Sequence, residues 1–326
     1  MSTQFFELAK NEQIASLSQT AREALKLYGL NTAQVECINY EFNATFKVTT
    51  DSGHTYALRI NINSTRSTEN TQAEVEWVQS LSRNVNVNVP APIANLSDSF
   101  VTSISHVEIG RSLNCVLYTW LEGEEIGDEP SLDQLHRIGQ TLAHLHIQGA
   151  QFQLSSKAEL PTFNDLLWGT EDYLFSEKSA LSASDRKLFQ ESADEIMKFT
   201  HALYEQSTPQ IIHADLHGWN MMGHDDLIYI IDFDDCGFGL PAQDMAITLY
   251  YLDTPKQEAA LFAGYESVKL LPEFSPTAMK ALLLQRRLML LNYLFETNNL
   301  EHKQMLPKYL EQSRERVLAF LTDVRG

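Results

Sequence analysis

The chain has 326 residues, with 43 Asp and Glu against 24 Lys and Arg and a formal charge of −19. Its 44% hydrophobic and 21% charged content is that of an ordinary globular chain and excludes a disordered or fibrous one. The acidic balance argues against the basic footprint of a nucleic-acid binder and against a polybasic membrane anchor.

In chain order, the polar N-terminus around Glu7 and Lys10 has no signal-peptide apolar region. Ile14, Leu17, Ala21, Ala24, Leu25 and Tyr28 then recur at helical spacing, and Gly29 suits a C-terminal cap, which predicts a helix over 11–28. Strand-like runs follow at 35–39, 44–49 and 55–60, the last two separated by the turn residues Asp51, Ser52 and Gly53. Residues 70–82 return to helical character, the connector at 89–92 carries Pro90 and Pro92, and two more strands are predicted near 100–105 and 114–120. Leu135, Ile138, Leu142 and Leu145 mark an amphipathic helix, and further helical segments are predicted near 163–176, 185–206, 241–252, 256–268, 277–296 and 303–322. One β interlude, at 210–213, 221–222 and 227–233, interrupts this helical half. The apolar stretch 281–295 is broken by Gln285, Arg286 and Arg287, so it reads as a buried helix and not as a membrane span. Cys37, Cys115 and Cys236 are odd in number and far apart, which suits a reducing cytoplasm better than a disulfide framework or a metal knuckle. The order implies an α+β, two-lobed plan: a β-rich lobe over 1–120, with the helix 11–28 ahead of it, and a helical lobe over 121–326.

Chemistry concentrates in the β interlude. His213, Asp215, His217, Gly218 and Asn220 follow one apolar run, and Asp232, Phe233, Asp234 and Asp235 follow another. A His-x-Asp-x-x-x-x-Asn loop followed by a strand ending in Asp-Phe has the spacing that phosphoryl transfer uses. One Asp accepts or orients the proton of the acceptor hydroxyl. The Asn and the second Asp supply hard oxygen ligands to Mg²⁺ on the nucleotide phosphates.

On these residues the sequence resembles the aminoglycoside phosphotransferase/choline kinase family of kinase-like phosphotransferases, over roughly residues 35–300. Within that family it looks most like the bacterial stress-response kinase and type II homoserine kinase-like members. The resemblance implies a protein-kinase-like fold, ATP and Mg²⁺ as cofactors, and transfer of the γ-phosphoryl group to a hydroxyl of a small molecule. It implies Asp215 as catalytic base, Asn220 and Asp232 as Mg²⁺ ligands, and Asp244 as a brace of the helical lobe. Arg59, in Tyr56-Ala57-Leu58-Arg59, stands where the family's β3 segment normally ends in Lys, with Glu74 as its expected partner and Glu76 as the competitor. The phosphate-covering turn would be 40–46, which lacks glycine but carries Asn43. The adenine would dock on the linker Tyr118, Trp120 and Leu121.

Other readings compete with this one. The stress-response resemblance allows a Ser/Thr protein kinase, and Arg59 with the glycine-free turn allows a nucleotide-binding regulator without turnover. His213, Asp215 and His217 could form a binuclear metal-hydrolase site, although the remaining histidines fall in no matching motif. His213 reads as structural, His217 as either loop-shaping or substrate-touching. His144 and His146, two apart on a helix, read as packing or hydrogen-bonding residues. The negative charge is localised: residues 199–255 hold nine acids and residues 112–136 hold six, with no Lys or Arg in either stretch. On the kinase-like reading both border the cleft between lobes, which points to an amine-bearing acceptor. The oligomeric state is not legible.

Overall fold

The computed structural model describes residues 5–63, 66–297 and 299–326. In chain order the elements are α1 (Lys10–Lys26), β1 (Gln34–Tyr40), β2 (Asn43–Thr49), β3 (Thr55–Asn61), α2 (Thr68–Leu81), β4 (Pro92–Ile93), β5 (Thr102–His106), β6 (Arg111–Thr119) and β7 (Glu124–Glu125). They continue with α3 (Leu132–Gln151), α4 (Ala183–Gln206), β8 (Gln210–Ile212), a 3-10 turn at Gly218–Asn220, β9 (Met221–His224), β10 (Leu227–Ile230), β11 (Gly237–Gly239), α5 (Pro241–Tyr250), α6 (Pro255–Glu266), α7 (Pro276–Glu296) and α8 (Leu300–Arg325). The fold class is α+β, an antiparallel sheet in the N-terminal part and helices in the C-terminal part. The chain forms two compact units. The first comprises residues up to Glu125 together with Gln153–Leu160 and Met222–Asp234; the second comprises Ile126–Phe152, Pro161–Met221 and Asp235–Gly326.

In the first unit the sheet runs β1-β2-β3-β6-β4, with β5 also on β6, and every pairing is antiparallel. Alternation sorts its two faces. Ala44, Phe46 and Val48 of β2 and Leu58 and Ile60 of β3 are buried with Leu17, Ala21, Ala24 and Leu25 of α1, so α1 covers that face. Directly paired residues share a face, so the register Asn43↔Asn61, Thr45↔Arg59 and Ala57↔Tyr118 puts the polar residues on the other one. Capping explains α2: the Ser67 hydroxyl accepts from Asn70 N–H, and the Asn70 side chain accepts from Ser67 N–H. A small three-stranded sheet, β10-β9-β7, also belongs to this unit.

The second unit is built on α7. Ala281, Leu284, Leu288 and Leu291 of α7 pack with Phe189 and Ile196 of α4 and Val317, Phe320 and Leu321 of α8. Beside them α3 lies against α6, and β8 pairs with β11. Among the described residues no helix is long and apolar enough to cross a membrane.

The helix expected over 163–176 does not form. Asp165 Oδ1 accepts the N–H groups of Leu167 and Gly169, and Asp172 Oδ1 accepts those of Leu174 and Phe175. These side-chain turns take the donors a helix would use. Trp168 and Gly169 at φ 55° and 74° then turn the chain the wrong way for a right-handed helix. The strand expected over 227–233 ends at Ile230, because Asp232 sits at φ 61°.

Candidate active site

The loop at 213–220 follows the end of β8 and is held by Asp244 of α5. Asp244, fully buried, accepts the N–H of His213 at 3.1 Å and of Ala214 at 2.8 Å. His146 Nε2 donates to the same carboxylate at 3.2 Å, while its Nδ1 accepts from the Tyr265 hydroxyl at 2.8 Å. Burial alone would raise the Asp244 carboxyl; the hydrogen bond from His146, the nearby His213 and the Ala214 N–H outweigh it and hold it below the usual carboxylate range. This anchorage carries the backbone cost of Ala214, which stands at φ 70°. Asp244 thus has the bracing place that the sequence suggested.

Asp215, half-buried, is surrounded by donors. Arg286 Nη2 of α7 donates to Oδ1 at 2.5 Å. On the other oxygen, Asn220 Nδ2 donates to Oδ2 at 3.0 Å and His217 Nε2 lies at 3.3 Å. Asn220 Nδ2 also reaches the Asp215 carbonyl at 2.9 Å. His217 Nδ1 accepts the Trp219 N–H, so its proton sits on Nε2, toward Asp215. Desolvation would raise the Asp215 carboxyl, but Arg286 first, then His217 and His213, hold it well below the ordinary range. Both histidines of the His-x-Asp-x-His run are therefore spent inside the loop; His213 is buried, and its Nδ1 accepts the Asp215 N–H. Among the described residues no cluster of three or more His, Cys, Asp or Glu is placed to hold a metal ion.

The first unit gathers a second set. Arg59 Nη2 of β3 pairs with Glu74 Oε2 of α2 at 2.5 Å, both buried. The Tyr118 hydroxyl donates to the other Glu74 oxygen at 3.1 Å, and Arg59 Nη1 lies 4.0 Å from Asp232 Oδ1. Burial opposes the Arg59 charge, but Glu74, Tyr118 and Asp234 more than restore it. Glu76, the competitor, is occupied elsewhere by the Ser155 N–H and hydroxyl, at 3.0 Å and 2.7 Å. Asn43 Nδ2 donates to Asp234 Oδ2 at 2.8 Å, which ties the turn before β2 to the segment after β10. The neighbouring Phe233 ring packs edge-on against Trp77 of α2. Past β6, the Thr119 N–H is bound by the Ala91 carbonyl, Trp120 lies under the Lys47 ammonium at 4.8 Å, and Leu121 is half-buried.

Arg286 and Tyr251 are the residues that sequence reasoning passed over. Arg286 was visible as a charge inside an otherwise apolar helical stretch. A charge on a buried helix face needs a partner, but its spacing does not say which one. Tyr251, one residue past α5, carried no signal.

A Lys-like cation paired with a helix glutamate, and an Asp-bearing loop followed by an Asn, are the parts of a kinase-like phosphotransferase. The chain belongs to the phosphotransferase enzyme family (APH), which matches residues 40–282. Amicoumacin kinase of Bacillus subtilis (strain 168) is 26% identical over 308 residues, covering 88% of this chain and 89% of that protein. Among solved structures, a microcompartment-associated aminopropanol kinase superposes with a TM-score of 0.79 at 22% identity, over 94% of this chain and 98% of the other. Amicoumacin kinase hAmiN, solved with AMP-PNP, Ca²⁺ and Ami, gives 0.75 at 19% identity, over 94% and 96%. Aminoglycoside phosphotransferase APH(4)-Ia gives 0.63 at 15%, over 95% and 98%. These structures share the protein-kinase-like fold with this chain.

Proposed function

We propose that the chain is an ATP- and Mg²⁺-dependent kinase that phosphorylates a hydroxyl of a small, amine-bearing molecule. The observation that carries this is the engagement of the Asp215 carboxylate by Asn220 and Arg286, within a loop anchored on Asp244. On this reading residues 1–120 bind the nucleotide, and residues 121–326 carry the catalytic loop and the acceptor site. The protein works in the cytoplasm, where its three free thiols stay reduced.

Asn220 and Asp232 would hold the divalent cation. Asn220 spends its Nδ2 on Asp215, which leaves the amide carbonyl oxygen as the ligand atom, and the Asp232 side chain is 43% exposed. One Asn and one carboxylate suffice for Mg²⁺, which takes its other ligands from phosphates and water. When bound, the ion would neutralise phosphate charge. Arg59, fixed by Glu74 and Tyr118, would contact the phosphates, and Asn43 would steady the turn that covers them. The adenine would lie against the linker at Tyr118, Trp120 and Leu121. Asp215 would orient the acceptor hydroxyl and take its proton late, since a carboxylate so well paired is a weak base. The amine-bearing acceptor rests on the acidic stretches 112–136 and 199–255, and the aminopropanol kinase among the similar structures supports the same chemistry.

The test is ADP release from Mg·ATP across a panel of hydroxyl-bearing amines, beginning with 1-amino-2-propanol. Asp215→Asn should lower turnover by about 100-fold or more while leaving nucleotide affinity within about twofold. Near-normal turnover in Asp215→Asn would remove Asp215 from the mechanism.

A further inference from the structure

Arg286 is a buried cation whose placement nothing in the packing of α7 requires. It is 9% exposed, and the apolar side of α7 is already filled by Ala281, Leu284, Leu288 and Leu291. An unpaired arginine here would be strongly destabilising, so its position is set by what it binds. It binds two groups with one nitrogen: Nη2 donates to Asp215 Oδ1 at 2.5 Å and to the Tyr251 hydroxyl at 2.8 Å. Its Nε, buried, has no partner among the described residues. The guanidinium is thus held toward the carboxylate even though one of its donors goes unsatisfied. Its neighbour Arg287 behaves differently, spending its donors on Tyr250 at the end of α5 and on Ser313, Gln312 and the Tyr309 carbonyl of α8. Arg287 is a helix-packing arginine, and Arg286 is not.

The contacts close into a ring. The Tyr251 aromatic ring lies 4.9 Å from that of His217, whose Nε2 is 3.3 Å from Asp215 Oδ2. The Asp215 side chain is therefore gripped at Oδ1 by Arg286 and at Oδ2 by His217 and Asn220, and Tyr251 touches both grips. Beneath them the Thr248 hydroxyl of α5 donates to the Leu216 carbonyl at 2.9 Å, which fixes the loop to the helix that Tyr251 follows.

We propose that Arg286, supported by Tyr251, is the positioning residue of this phosphotransferase: it fixes the rotamer of the Asp215 carboxylate so that one lone pair faces the acceptor hydroxyl. The inference rests on the role given to Asp215 above. Carboxylate rotation is cheap in solution, and a misaligned acceptor costs rate and not affinity. Arg286 acts through Asp215 alone, so its loss should matter only while Asp215 is present. Lysine keeps the charge and a nitrogen that can donate to both groups, but its stem is shorter and its ammonium is not held planar, so it should rescue in part.

The experiment measures ADP release from Mg·ATP with water as acceptor and with 1-amino-2-propanol, for the wild-type chain, Arg286→Met, Arg286→Lys, Tyr251→Phe, Asp215→Asn and the double variant Asp215→Asn/Arg286→Met. Affinity for AMP-PNP and the thermal midpoint show which variants are folded. Arg286→Met should lower kcat about 100-fold with KM for ATP within about twofold, Arg286→Lys should recover about tenfold of that, and Tyr251→Phe should cost about five- to tenfold. The double variant should be no slower than Asp215→Asn alone. Tyr251→Phe removes only a hydroxyl and keeps the test alive if Arg286→Met does not fold. Losses that multiply in the double variant, or a raised acceptor KM with kcat unchanged, would overturn the positioning role. An active Arg286→Met beside a dead Asp215→Asn would sink this inference while sparing the proposed function. A wild-type chain inert toward both acceptors would sink the two together.

Discussion

Asp244 is the residue that anchors the 213–220 loop. Its carboxylate satisfies two consecutive backbone N–H groups and one imidazole. Asparagine at this place would keep one acceptor oxygen and turn an amide N–H toward a donor. Asp244→Asn should therefore destabilise the chain by about 3 kcal/mol at neutral pH, as the loss of one partner from a buried charged network does. The pH dependence follows from the direction of the shift. The folded-state carboxyl titrates below its unfolded value, so its stabilisation is complete above about pH 4 and is lost as pH falls through the lower, folded value. Urea unfolding of the wild-type chain should show a stability that falls steeply only below about pH 4, and Asp244→Asn should flatten that acid limb. An unchanged limb would mean that other carboxylates set it. Arg59 shows a different limit at the same scale. Arginine keeps the charge of the usual lysine, and its fork reaches Glu74 with one nitrogen while another faces Asp232.

Glycines decide how two helices of the second unit meet. A Cβ on Gly264 of α6 would run into the carbonyl oxygen of His136 on α3, and one on Gly139 of α3 would run into the carbonyl oxygen of Leu261 on α6. Backbone touches backbone at both points, so no side chain can move aside. Gly139→Ala and Gly264→Ala should each cost about 3 kcal/mol, seen as a lower urea midpoint at unchanged slope. Their effects should fall short of additivity, because the first alanine already pushes the helices apart. A shift under about 0.5 kcal/mol in either variant would show that α3 and α6 slide freely. Periodicity marks both helices in the sequence, but it does not disclose that the glycines interlock. The segment at 163–176 shows the converse. Its apolar spacing looks helical, yet Asp165 and Asp172 bind the backbone locally and the chain turns at Trp168.

At the scale of the whole molecule the charge of −19 gathers in two stretches without Lys or Arg. On the proposed function, metal ligation and Asp215 would account for part of it, and the surplus should draw a cationic acceptor. The expected outcome is faster turnover of 1-amino-2-propanol than of 1,2-propanediol by about tenfold or more, with the advantage shrinking as salt rises from about 0.01 M to about 0.5 M. Equal rates on the diol, or on lactate, would refute an electrostatic choice of acceptor.

The sequence by itself determined the α+β class, most of the elements and the family. Each is written in short-range pattern: period-2 and 3.6-residue spacing, turn residues, and a loop whose Asp and Asn stand a fixed number of residues apart. The resemblance named Glu74 as the expected partner of Arg59 but left Glu76 as its competitor, and the structure chose Glu74. The tertiary structure alone decided the rest. Residues 222–234 join the first unit, far along the chain from Asn43 and Arg59, and Arg286 arrives at Asp215 from 71 positions away. Such contacts carry no local periodicity. They depend on how α7 packs among α4, α5 and α8, and a buried charge shows in sequence only as an interruption until the fold brings its partner.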